Sequence, residues 1–295
     1  MKRILPVVCM LSIFVFVYTS SIMLADVFDR AGARAFENPD DPFNVLYFIA
    51  ILLILTLTIL AIAKLWNKQI IHVFILFAIA ATTFSILSPI MSLSFSEPIP
   101  TTISVIGSLV IVLLLIYYPE WYVIDSSAIV LSIGAISIFG ISLSVPLVLL
   151  LLSILAVYDA ISVYKTKHMI DLADTVVELK LPVLFVIPKK LPYSFRKARG
   201  GIKKQIKRKE REAFFMGVGD VVIPGILVVS CYYFSNSLAI STSVAAGIIL
   251  GFLLLMAFVA KGKAHAGLPF LNGGAILGYV LSSYILYGKL VGFSI

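Results

Sequence analysis

Nine apolar stretches constrain this chain more than any other feature. They run over about 4–25, 43–64, 70–94, 99–118, 121–143, 145–164, 213–234, 239–260 and 267–288. A helix that crosses the hydrocarbon core of a bilayer needs roughly 20 mostly apolar residues. In lipid every backbone N–H and C=O must also be satisfied within the protein. The pattern therefore predicts an all-α polytopic membrane protein with nine transmembrane helices. Composition agrees, with 61% hydrophobic and only 13% charged residues, where soluble domains carry about a quarter charged. The breaks YYPEW and SLSVP are short enough to make tight hairpins. The first stretch starts basic, as a secretory signal does, but it is long enough to span. No small-x-small site closes a short core, so it reads as a retained helix. Cys9 and Cys231 both lie inside apolar runs, which excludes a disulfide framework or a cysteine metal cluster.

Charge orients the spans. With the N-terminus in the cytoplasm and nine crossings, 20 of the 23 Lys and Arg fall inside. Only Arg30, Arg34 and Lys289 fall outside, while loop 26–42 carries Asp26, Asp29, Glu37, Asp40 and Asp41. An inside excess of Lys and Arg is the expected bias. The C-terminus is then outside.

The chain reads as a single membrane-embedded domain, 1–295. It comprises six helices over 1–164, a basic cytoplasmic loop at 165–212, and three helices over 213–295. Within the loop, KHMIDLADTVVELK has helical apolar spacing. LPVLFVIP, 181–188, is too short to span and β-branched enough to be a strand. RKARGGIKKQIKRKERE reads as a topology anchor that also touches anionic membrane lipids. It is not a nucleic-acid surface, because only Tyr193 and Phe195 precede the charges and none interleave with them.

Three acids fall within apolar spans: Asp125, Asp159 and Asp220. Asp125 lies beside Trp121 and Tyr122, interface residues, and is read as wetted at the membrane surface. Asp159 lies six residues before Lys165, and Asp220 eight residues after Glu212. At ~1.5 Å per helical residue, both sit roughly 9–12 Å in from the cytoplasmic end. Their spans run in opposite directions, so the two carboxylates reach similar depth. Neither has a cation within a span to pair with. Two like charges held close split their proton affinities, which suits an aspartyl protease pair that draws a proton from water and returns one to a carbonyl. Membrane carboxylates also relay protons in proton-coupled transporters. On spacing alone the protease and the transporter are balanced.

VYDA, 157–160, and GVGD, 217–220, resemble the YD and GxGD motifs of the presenilin and signal peptide peptidase family of intramembrane aspartyl proteases. AGLPFLNGG, 266–274, is similar to the family's Pro-Ala-Leu region, with Pro269, Phe270 and Leu271 at the matching positions and Phe270 in place of Ala. The three motifs fall in order in the sixth, seventh and ninth spans. The inside placement of the loop between the two Asp spans, together with small size, is most like an archaeal presenilin homologue. The resemblance implies that Asp159 and Asp220 are the catalytic pair and that the Pro269 segment helps position substrate. Substrates are then membrane-spanning helices, cleaved by activated water with no cofactor or metal, and strand 181–187 pairs with the unwound substrate.

Tyr158, Gly217 and Gly219 are assigned to substrate positioning by the same resemblance, the glycines giving clearance beside Asp220. Read by themselves, the glycines equally suit helix packing. Pro224 is expected to bend the seventh span, and Pro146 to mark the start of the sixth. A zinc protease is excluded, since His72, His168 and His265 are isolated and no HExxH occurs. A rhomboid-type Ser–His pair does not fit either. A prepilin-type peptidase also uses a GxGD-like Asp but lacks the third motif. The sequence leaves oligomeric state and accessory subunits open.

Overall fold

The computed structural model describes residues 4–65, 68–163, 183–189, 213–259 and 265–293. The amphipathic stretch 167–180 and the basic run 196–212 lie outside them. Among the described residues there are nine α-helices: α1 Ile4–Arg30, α2 Phe43–Leu65, α3 Lys68–Ser92, α4 Ile99–Tyr117, α5 Trp121–Ser142, α6 Val145–Ile161, α7 Val218–Ser235, α8 Leu238–Val259 and α9 Leu268–Tyr287. Seven of them are long and apolar enough to cross a membrane; α6 and the described part of α2 are shorter. The chain is thus a helical, multi-pass membrane protein.

Three expectations need correction. The first helix continues to Arg30, so Asp26 and Asp29 belong to it and not to a loop. Residues 213–217 are not helical, because β2 Ala213–Gly217 pairs antiparallel with β1 Leu184–Pro188. The seventh helix consequently begins at Val218 and not at 213. AFFMG is apolar enough for a span, but its aromatic residues favour a pleated strand once a partner is present. Strand β1 falls inside the 181–188 segment that its β-branched residues single out.

Contacts divide the chain into two units. One contains Tyr47–Ser132 and the hairpin. Its core gathers Leu76, Ile79, Leu115, Ile124, Val186 and Ala213, with Trp121, Leu184 and Phe215 packed around them.

The other contains Leu11–Leu46, Ile133–Met169 and Gly219–Ile295. Lipid offers no hydrophobic drive for helices to associate, so close packing and side-chain to carbonyl bonds hold them. Ser137 Oγ donates to the Ser21 carbonyl at 3.1 Å, Ser230 Oγ to Leu143 at 2.8 Å and Ser241 Oγ to Val228 at 2.7 Å. Phe14 packs edge-on to Phe252, with ring centroids 5.2 Å apart. Helices α8 and α9 approach most closely. A side chain added at Gly247 would run into the Gly274 backbone, one at Gly251 into Phe270, and one at Gly278 into Ser243. Each step of four along α8 is matched by a step of four back along α9, so the two backbones are zipped in one register.

Replacing Gly247 with Leu should force the zip apart, at a cost of about 1–3 kcal/mol. It should lower the thermal midpoint in detergent. Gly273→Ala is the contrast, because nothing lies within 4 Å of an added Cβ there. That variant should match the parent in the same melting experiment.

Candidate active site

The site builds from the start of α9. The first N–H groups of any helix lack intrahelical partners. Here no side chain caps α9, and Pro269 in its first turn has no N–H to satisfy. The N–H of Leu268 instead donates to Asp159 Oδ2 at 3.0 Å. The helix dipole places partial positive charge at this end, which favours a carboxylate. Asp159 lies in the last turn of α6 and is 4% exposed.

Asp220 lies against the same dipeptide. A Cβ built on Gly267 would lie 3.3 Å from both Asp220 Oδ1 and Oδ2. Because α7 starts at Val218, Asp220 is in its first turn and is not two turns into a helix. That corrects the depth reckoned from an all-helical 213–234 segment. Pro224 lies within the continuous helix, and it cannot supply the N–H that would ordinarily bond the Asp220 carbonyl.

Both carboxylates therefore lie at Gly267–Leu268, the two residues ahead of Pro269. The motif match at Pro269, Phe270 and Leu271 points to the right turn of chain, but the residues that touch the acids lie just before it. A signal for them was available: the first donors of a helix start are the ones in need of an acceptor. Phe270 turns elsewhere, its ring 5.4 Å from Phe258 and 6.4 Å from His265. Leu271 is fully buried. One turn past Leu268, Asn272 Nδ2 donates to the Leu152 carbonyl on α6 at 2.9 Å. Two hydrogen bonds thus fasten the beginning of α9 to α6.

Tyr158 is 44% exposed, whereas its neighbour Asp159 is buried. Gly217 closes β2 opposite Leu184. At Gly219 an added Cβ would meet only Ile223, at 3.8 Å, so packing among the described residues does not demand glycine there. Tyr18 was not singled out by any sequence pattern. It is almost fully buried, donates from its hydroxyl to the Val221 carbonyl at 3.0 Å, and fills the space beside Gly225.

Asp125 is not wetted. It is 7% exposed, and its Oδ1 accepts the Val186 N–H of β1 at 2.7 Å. The sequence places it beside interfacial aromatics, but the hairpin covers it and brings a backbone donor that needs an acceptor. Among the described residues no group of His, Cys, Asp and Glu is arranged to hold a metal ion.

The fold and the site define a membrane-embedded protein with two aspartates held at helix ends around one dipeptide. Residues 11–287 match the family model described as signal-peptide peptidase, presenilin aspartyl protease. The chain belongs to that family. It is similar to a solved presenilin family intramembrane aspartate protease in a C222 crystal form, at 35% identity and a TM-score of 0.72. That match covers 95% of this chain and 100% of the other. A P2 form of a presenilin family intramembrane aspartate protease gives 35% identity and a TM-score of 0.71 over 95% and 98% of the two chains. No curated protein matches the chain.

Tyr18→Phe keeps the buried ring and removes only the hydroxyl bond to Val221. It should cost about 1 kcal/mol of stability, read as a lowered thermal midpoint in detergent with an unchanged helical circular dichroism spectrum.

Proposed function

We propose that Asp159 and Asp220 are the catalytic pair of an intramembrane aspartyl protease that cuts peptide bonds within membrane-spanning segments of other proteins. The observation that carries this reading is the meeting of both carboxylates at Gly267–Leu268. One carboxyl is ionised and takes a proton from water. The other is protonated and gives its proton to the scissile carbonyl, and the roles reset after cleavage. Tyr158, Gly217, Gly219 and the segment from Pro269 to Leu271 take substrate-positioning roles in this reading. The substrate unwinds first, since a helix ties up its carbonyls, and its extended stretch docks on the β1–β2 hairpin. Chain continuity supports this, because β2 ends at Gly217 and Asp220 follows three residues later.

The topology that accompanies the reaction is nine crossings of the cell membrane. The N-terminus and the 165–212 loop are cytoplasmic and the C-terminus is outside. The concentration of Lys and Arg in 165–212 supports it, and the same basic loop contacts anionic lipid.

Asp159→Asn and Asp220→Asn should each lower cleavage of a single-span substrate by about 100-fold or more, measured on purified protein in detergent. Full retained activity in either variant would remove the pair. Proton-driven solute uptake into liposomes without proteolysis would favour the transporter instead.

The rate should also trace a bell against pH. At low pH both carboxyls are protonated and no base remains; at high pH both are ionised and no acid remains. An optimum at or below neutral is expected in steady-state assays, and a flat profile across about pH 5 to 9 would contradict the shared-proton mechanism.

A further inference from the structure

Of the three aspartates in apolar spans, the proposed reaction uses two. The third, Asp125, is buried against the outer edge of β1. The register settles which edge this is. The N–H of Val218 donates to the Val183 carbonyl, and the ladder continues antiparallel from Leu184 opposite Gly217 to Pro188 opposite Ala213. Successive residues of a strand turn their backbone groups to alternate sides. Phe185 and Ile187 therefore face β2, and Val186 faces away from it. On that outer side the Val186 N–H is taken by Asp125 Oδ1 at 2.7 Å. The next outward position is Pro188, which has no N–H. Two consecutive outward positions thus offer no donor to an incoming strand.

We infer that Asp125 is a positioning residue: by accepting the Val186 N–H it fixes the hairpin in place and closes the outer edge of β1 to an added strand. This inference rests on the reading of the hairpin as the substrate-docking element. Burial argues for the fixing role. Val186 is 1% exposed and packs with Leu76, Ile79, Leu115 and Ile124, so its N–H has no water to fall back on. An edge left with an open donor there would be a second template for strand addition. Substrate could then settle on the wrong side of the hairpin.

The experiment compares the full chain with Asp125→Leu and Asp125→Asn in detergent. Leucine suits the apolar surroundings but has no acceptor, whereas asparagine keeps an acceptor oxygen without the charge. Hydrogen exchange of the 184–188 amides is read alongside KM, kcat and the cleavage positions on a single-span substrate. In Asp125→Leu, exchange at Val186 and KM should each rise about ten-fold, the effect of losing one buried hydrogen bond. Its kcat should change little, and cleavage should spread to neighbouring bonds. Asp125→Asn should restore the parent KM and cleavage position.

Unchanged exchange in Asp125→Leu overturns the fixing role. Faster exchange with unchanged KM and cleavage position overturns the positioning role. An asparagine variant as impaired as the leucine one also overturns the inference, because charge and not the acceptor would then matter. If the parent protein cuts no substrate, it is the proteolytic reading that fails, and the exchange comparison alone still decides whether Asp125 holds the hairpin.

Discussion

A helix that starts where the chain is buried starts with N–H groups that have neither water nor an earlier turn to bond. In this chain Asp159 takes the one on Leu268. That bond ties together much of the site. It satisfies the start of α9, where the N-cap Gly267 has no side chain to do so, and it holds the Asp159 carboxylate at the positive end of a helix dipole. It also brings Gly267 against Asp220. A buried carboxylate is costly by itself, and a buried helix start with open donors is costly by itself; each offsets the other.

The glycine zip between α8 and α9 gives this arrangement its stiffness. Its contacts repeat at Gly247 with Gly274 and at Gly251 with Phe270, and the last of them lies two residues from Leu268. Backbones in such contact cannot slide or rotate without collision, so the N-terminus of α9 is fixed on one side by α8. The Asn272 bond to Leu152 fixes it on the other side by α6. Asp159 therefore meets a donor set by backbone and not by a mobile side chain.

How much of this was legible in the sequence depended on the length scale of the signal. Runs of twenty apolar residues are unambiguous, and the helices fall where they predict, to within a few residues at most ends. The two acids were visible because a charge in such a run is conspicuous. Extended structure was half visible. LPVLFVIP is bounded by prolines and too short to span, so β1 stood out, whereas AFFMG merged into the apolar run that follows it. Only pairing with β1 distinguishes it as a strand, and pairing is not local. The neighbours of Asp125 in sequence mislead for the same reason, since its environment is made by a segment some sixty residues away. The contact dipeptide Gly267–Leu268 escaped the motif match because backbone donors carry no side-chain signature.

An isolated pair of strands leaves donors and acceptors open along its outer edges. The hairpin here is tolerated because its two strands satisfy each other and the outward donor of Val186 is met by Asp125. What this arrangement provides is a strand that passes directly into the helix bearing Asp220. Peptide-bond hydrolysis needs a carbonyl free of its helical hydrogen bond, and an extended substrate is the conformation that has one. A protease that works on helices needs something to stabilise the unwound state, and backbone pairing does so without reading side chains. In the proposed reaction, the acids at helix ends and the strand beside them in sequence answer two halves of one problem: keeping charge buried, and keeping a substrate extended long enough for that charge to act.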